Sequence, residues 1–187
     1  ATGVVNYHYV LNDNETHAQG LNNNLLSETF TVTLADLDGD TVTGNFIVDI
    51  VDDVPTANAD TGSVVLGTGG QWTASGDVIL GDSNGGVADK AGADGGLSVT
   101  GVVKGAITGA EPTAPIGTGL TVTGDYGTLK LNSDGTYTYE RDLSKPLPSG
   151  NADAAADAPA KDIFTYQIKD SDGDYRTTTL TISVTDQ

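Results

Sequence analysis

The chain has 187 residues, with 26 acidic side chains against 8 basic ones and a formal net charge of −18. That balance argues against nucleic acid and anionic membrane as partners, because both need a basic face. Cysteine is absent, no run of 18 apolar residues offers a membrane-spanning helix, and 25 glycines with abundant Thr and Val favour strands and tight turns over helices. No leader segment is visible and the first residue is not Met, so the chain reads as a piece of something longer.

In chain order, residues 6–10 (Asn-Tyr-His-Tyr-Val) have the look of a strand. His8 and His17 stand apart from any Ser or Cys nucleophile pattern, and Asn14-Glu15-Thr16 has the form of a glycosylation sequon by chance. Residues 29–34 alternate polar and apolar, as do 44–51, so each is predicted to be a strand with one buried face. Between them lies Asp36-Leu37-Asp38-Gly39-Asp40, which makes the pair a hairpin around an acidic turn. Asp52 and Asp53 close this unit, Pro55 marks a joint, and Asn58 and Asp60 open the next.

Trp72, alone after Gly69-Gly70, is expected to be a partly buried anchor. Asp77, Asp82, Asp89 and Asp94 fall in or beside the Gly-rich stretch 81–96, which reads as a metal loop or, in preference, a long solvated loop. Residues 127–131 and 136–140 flank Asn132-Ser133-Asp134-Gly135, a good hairpin turn. Tyr137 and Tyr139 match Tyr7 and Tyr9. Residues 152–160 are Ala-rich, but Asp153, Asp157 and Pro159 make them a loop. Two more alternating runs, 163–168 and 179–184, enclose Asp170-Ser171-Asp172-Gly173-Asp174.

The last of these hairpins repeats the first. Residues 27–53 align with 161–187 without a gap at an offset of 134 (161 − 27), with Phe30 on Phe164, Thr43 on Thr177 and Asp52 on Asp186. The expected organisation is residues 1–54 as the C-terminal part of one β-sandwich repeat and 55–187 as a complete one. A sandwich lacking half its strands exposes edges and core, so the first part is expected to pair with a neighbour or another chain, or to be partly ordered.

Asp36, Asp38 and Asp40, and again Asp170, Asp172 and Asp174, place alternate carboxylates on a tight turn that Gly39 and Gly173 permit. Like charges at that spacing repel unless a cation sits among them. Calcium takes six to eight oxygens. Position 12 of each run, where an EF-hand has its Glu, holds Ile47 or Thr181, so these are not EF-hands. Zinc lacks thiols, and magnesium prefers fewer protein ligands. The plain alternative is an Asx-rich turn with solvated charges. Asp52, Asp53, Asn58 and Asp60 form a second candidate set, an ion bridging the joint, against the alternative of a flexible acidic linker. Asp82 and Asp94 complete the candidate ligands.

Phe164-Thr165-Tyr166 with the 170–174 turn and Leu180-Thr181-Ile182-Ser183-Val184, the joint 51–60, the hairpin 127–139 and the opening Ser75-Gly76-Asp77-Val78-Ile79-Leu80-Gly81-Asp82 with Gly92-Ala93-Asp94-Gly95-Gly96 resemble, in their order along the chain, the repeats of giant bacterial RTX adhesins. The resemblance covers most of 27–187. It implies an all-β fold of Ig-like or cadherin-like sandwiches in tandem, Ca2+ at loops and joints, export by type I secretion to the bacterial cell surface, neighbouring repeats as partners, and no enzymatic activity. The tandem nonapeptide calcium repeats of that family are absent. The expected function is a calcium-stabilised extender in cell adhesion and biofilm formation. The alternative is a ligand-binding module, or a split scaffold displaying an inserted carbohydrate- or peptide-binding domain, motivated by the long loops 81–96, 105–119 and 143–161. A sandwich glycosidase is a third reading, which the identical repeated clusters disfavour.

Overall fold

The structure, a computed structural model, describes residues 4–12, 15, 25–66, 70–81, 86–93, 95–109, 114–148 and 160–184. Among the described residues the chain forms eleven strands and no helix, the longer strands following the alternation of apolar positions. β1 (Leu25–Ala35) and β2 (Thr41–Val51) pair antiparallel as a two-stranded sheet. Two larger sheets follow. One orders β3 (Asp60–Ser63), β11 (Tyr175–Val184), β10 (Ala160–Lys169) and β6 (Ser98–Lys104); the other orders β4 (Val65–Leu66), β5 (Trp72–Asp77), β9 (Thr136–Arg141), β8 (Gly127–Leu131) and β7 (Thr121–Thr123). The pairing of β3 with β11 is parallel and the remaining strand pairs are antiparallel. The arrangement is all-β and consistent with a β-sandwich.

The two larger sheets share one core. β10 and β11 contribute Phe164, Tyr166, Ile168, Leu180, Ile182 and Val184; β8 and β9 contribute Leu129, Leu131, Tyr137 and Tyr139; all are buried. Trp72 packs against this core, partly buried, as its isolation suggested. Alternation predicts a wet outer face for β10, but Thr165 and Gln167 on that face are also buried. The stretch after β6 lies across them. Ile107 N–H donates to Thr165 Oγ1, Ile116 N–H to Gln167 Oε1, and Gln167 Nε2 to the Ala114 carbonyl. Gly101 makes this possible, since a Cβ there would collide with the Ile116 carbonyl. Gly101→Ala is expected to lift that loop and cost about 1–3 kcal/mol, read from urea unfolding.

Under the offset of 134, the β1–β2 register (Phe30 opposite Phe46) is the β10–β11 register (Phe164 opposite Leu180). Residues 6–10, expected to be a strand, are not one in the structure. Their rings still meet the hairpin: Tyr7 lies 4.8 Å from Phe46 and Tyr9 6.1 Å from Phe30, centroid to centroid. Asn14, Thr16, His17, residues 152–159, Asp82, Asp94 and Asp186 lie outside the described residues.

Candidate metal centre

Both acidic turns are built the same way. Asp170 folds its side chain back so that Oδ1 accepts the N–H groups of Gly173 (3.0 Å) and Asp174 (2.7 Å), while its own N–H donates to the Asp174 carbonyl. Asp36 accepts from Gly39 (3.1 Å) and Asp40 (2.8 Å) in the same manner. Gly39 and Gly173 carry φ of 100° and 115°, which other residues adopt only under strain. The first Asp of each run is thus a turn-former with one oxygen left over.

Their surroundings differ. Asp36, Asp38 and Asp40 bring one carboxylate oxygen each within 4.8 Å of one another, all three exposed. In the second turn the cluster is Asp172, Asp174 and Asp52, again within 4.8 Å, with Asp52 and Asp174 buried. Asp52 comes from the joint. Of the joint candidates Asp52 alone meets the turn, where it joins Asp172 and Asp174. Both oxygens of Asp172 and Oδ2 of Asp170 are shielded from solvent and accept no hydrogen bond. Buried carboxylate oxygens without donors are costly unless protonated or facing a cation.

The electrostatics follow the burial. Asp36 is held below the ordinary carboxylate range, first by its hydrogen bond with Asp38 and then by the N–H groups of Asp40 and Gly39. Asp170 is pushed up to about 7, by burial first and by the Asp172 carboxylate beside it second. Burial is the leading cause at Asp170, whereas at Asp36 hydrogen bonds outweigh it.

The other joint residues are tied elsewhere. Asp53 accepts the Ala93 N–H on both oxygens, with Gly92 packed flat against its carboxylate. Asn58 donates its N–H to Asp89 Oδ1 (2.6 Å) and its Nδ2 to the Ala88 carbonyl. Thr56 and Lys90 exchange backbone hydrogen bonds. Asp60 Oδ2 accepts from the Tyr166 hydroxyl (2.7 Å), which also lies 3.3 Å from Asp89 Oδ2. The joint is stitched to residues 88–93, contrary to the flexible-linker alternative. Ser171 reaches the Gly95 carbonyl, bringing the turn to the same stretch.

The expectation of a solvated loop across 81–96 fails at its described acid. Asp89 is buried, and burial pushes it up to about 6. Asp77 is a turn-former whose Oδ1 accepts the Ile79 and Leu80 N–H groups. Most described residues of the run are exposed as its composition suggests, and Asp89 is buried because it faces Asn58 and Tyr166.

A residue that sequence reading passed over is Asp162. It is buried, and its carboxylate accepts the N–H groups of Asp125 (2.6 Å) and Tyr126 (3.1 Å) and the Tyr139 hydroxyl (2.6 Å). The available signal was its phase, because positions 162, 164, 166 and 168 share the core face of β10.

Compared with models of known protein families and with curated proteins, the chain matches none.

Proposed function

We propose that this chain is a calcium-stabilised structural extender of a repetitive bacterial surface adhesin, an Ig-like or cadherin-like sandwich with part of a second. The observation that carries the reading is Asp52 of the joint meeting Asp172 and Asp174 of the turn around dehydrated carboxylate oxygens. A hard cation with many oxygen ligands suits such a cluster better than zinc, which the absence of cysteine disfavours. Calcium there would offset two of the three carboxylate charges and pin the joint onto the sandwich that follows it. The net charge of −18 gives this a wider effect, since a strongly acidic chain resists compaction until its charges are met. The exposed triad at Asp36, Asp38 and Asp40 is the weaker of the two clusters, because water already solvates it.

The test is solution scattering and thermal melting with calcium and with chelator. Calcium is expected to lengthen the particle and raise Tm; unchanged values in both would remove the mechanism. At an affinity of about 10⁻⁴–10⁻³ M, a tenfold excess of ion adds about 1.4 kcal/mol per site. Asp172→Asn is expected to weaken calcium uptake about tenfold or more by calorimetry while leaving the chelated protein equally or more stable, because it removes one buried charge from the empty cluster. The second reading, a scaffold displaying a binding module, is favoured by one observation, the exposed aromatic face of β1–β2. A glycan and peptide array run in calcium tests it.

A further inference from the structure

The face formed by Phe30, Val32, Leu34, Phe46, Val48 and Ile50 is matched, position by position at the offset of 134, by Phe164, Tyr166, Ile168, Leu180, Ile182 and Val184. Those six are buried at 0% exposure beneath the sheet β4-β5-β9-β8-β7. On the first hairpin Phe30 is 37% and Leu34 55% exposed, Val32, Phe46 and Val48 are half-buried and Ile50 is buried, and a groove of about 370 Å³ runs between Val5, Tyr7, Val32, Leu34, Val42 and Phe46. We infer that this face is a half-core, completed by a separate polypeptide segment that forms a sheet of the kind built by β4, β5, β7 and β8.

The covering layer has already begun. Tyr9 sits 6.1 Å from Phe30 as Tyr139 sits 6.2 Å from Phe164. Tyr139 donates to Asp162, and Glu28, at the place of Asp162, hydrogen-bonds Tyr9. Residues 6–10 therefore lie where β9 lies in the other unit, and the interface they start continues across the bare part of the hairpin. An isolated two-stranded hairpin is marginal in water, which gives the occupant a thermodynamic role. Sugar stacking on Phe30 and Phe46 would use two rings and leave Leu34 and Val42 wet. A β-sheet covers all of them.

The differences between the two faces specify the occupant. Val32 stands where Tyr166 donates its hydroxyl between Asp60 and Asp89. A segment carrying that acid pair would bury it against a valine with no donor, so the occupant lacks the pair and fills the space with a larger apolar side chain. Val42, opposite Leu34, stands where Arg176 lies opposite Ile168, so the occupant is apolar at that end too. The inference does not depend on the cation.

The experiment adds a copy of residues 55–135 ahead of Asn6 of the chain and follows amide exchange in β1 and β2, with β10 and β11 as internal reference. Carrying Asp60→Leu and Asp89→Leu, the added segment is expected to slow exchange in β1 and β2 about tenfold or more; with both acids kept it is expected to protect only beside Val32→Tyr, which supplies the missing hydroxyl. Phe46→Asp is expected to abolish the gain. Exchange unchanged by the segment with both Val32 and Val32→Tyr overturns the inference. Protection that grows with concentration of the unextended chain also overturns it, assigning the face to a second copy, as does protection by added glycans alone.

Discussion

Asp162→Ala is expected to destabilise the protein by about 3–5 kcal/mol, among the largest effects of any single polar substitution in the described fold. The carboxylate sits at 1% exposure between the two larger sheets and satisfies three donors: two N–H groups at the turn before β8 and the hydroxyl of Tyr139. Removing it strands all three, and each buried donor without an acceptor costs about 1–3 kcal/mol. Gly124 lies so close that a Cβ would strike the carboxylate, so the site has no room to rearrange around a different acceptor. Asp162→Asn keeps an acceptor oxygen and is expected to lose less, and Tyr139→Phe, which removes one donor, less again. Urea unfolding followed by Trp72 fluorescence reads all three; a loss below about 1 kcal/mol for the alanine variant contradicts the assignment.

The second large effect is a pH dependence that calcium weakens. In chelator, Asp170 at about 7 and Asp89 at about 6 bind protons in the folded chain more tightly than in the unfolded one. A carboxyl whose folded value is raised contributes stability that is complete below its unfolded value and is lost as pH rises through the folded value. The chelated protein is therefore expected to gain stability on going from about pH 8 to about pH 5, by on the order of 3 kcal/mol in total. Asp134 and Asp142, held low first by Thr136 and Ser144 respectively, act in the opposite sense only below the ordinary carboxylate range. With calcium in excess the ion takes the place of the proton at the 170–174 turn, so calcium affinity falls as pH drops below about 7 and the gain from calcium shrinks with it. Tm measured across that range with and without chelator checks both halves. A chelated Tm that falls steadily from pH 8 to pH 5 contradicts them.

What could be read from the sequence was what local pattern encodes. Strict alternation fixed the hairpins around the two acidic turns, and Asp134-Gly135 fixed the turn between β8 and β9. Non-local pairing was not legible. β3 is four residues of Asp-Thr-Gly-Ser, and it becomes a strand because β11 offers it a parallel partner more than a hundred residues away. Residues 6–10 carry strand alternation without becoming a strand; their rings pack on Phe46 and Phe30 instead.

The candidate site shows the same division. Carboxylates spaced two apart on a Gly turn were evident, and so was an acidic joint. That Asp52 would join Asp172 and Asp174, leaving Asp170 to hold the turn, depends on how the joint folds back, which no local spacing records. Asp89 and Asp162 were hidden for opposite reasons. One sits in a stretch whose composition reads as solvent-loving, the other in a strand where an acid at a core-phase position is easily taken for an exposed one. Phase would have found Asp162; only the fold finds Asp89.

The central claim is that one divalent ion is shared between joint and turn. Calorimetric titration of calcium into the wild-type chain, Asp52→Asn and Asp172→Asn tests it most directly. Both variants are expected to lose the same binding event, with equal drops in stoichiometry, although they lie 120 residues apart (172 − 52). If Asp52→Asn binds calcium as the wild type does while Asp172→Asn does not, the ion belongs to the turn alone and the joint is not locked by it.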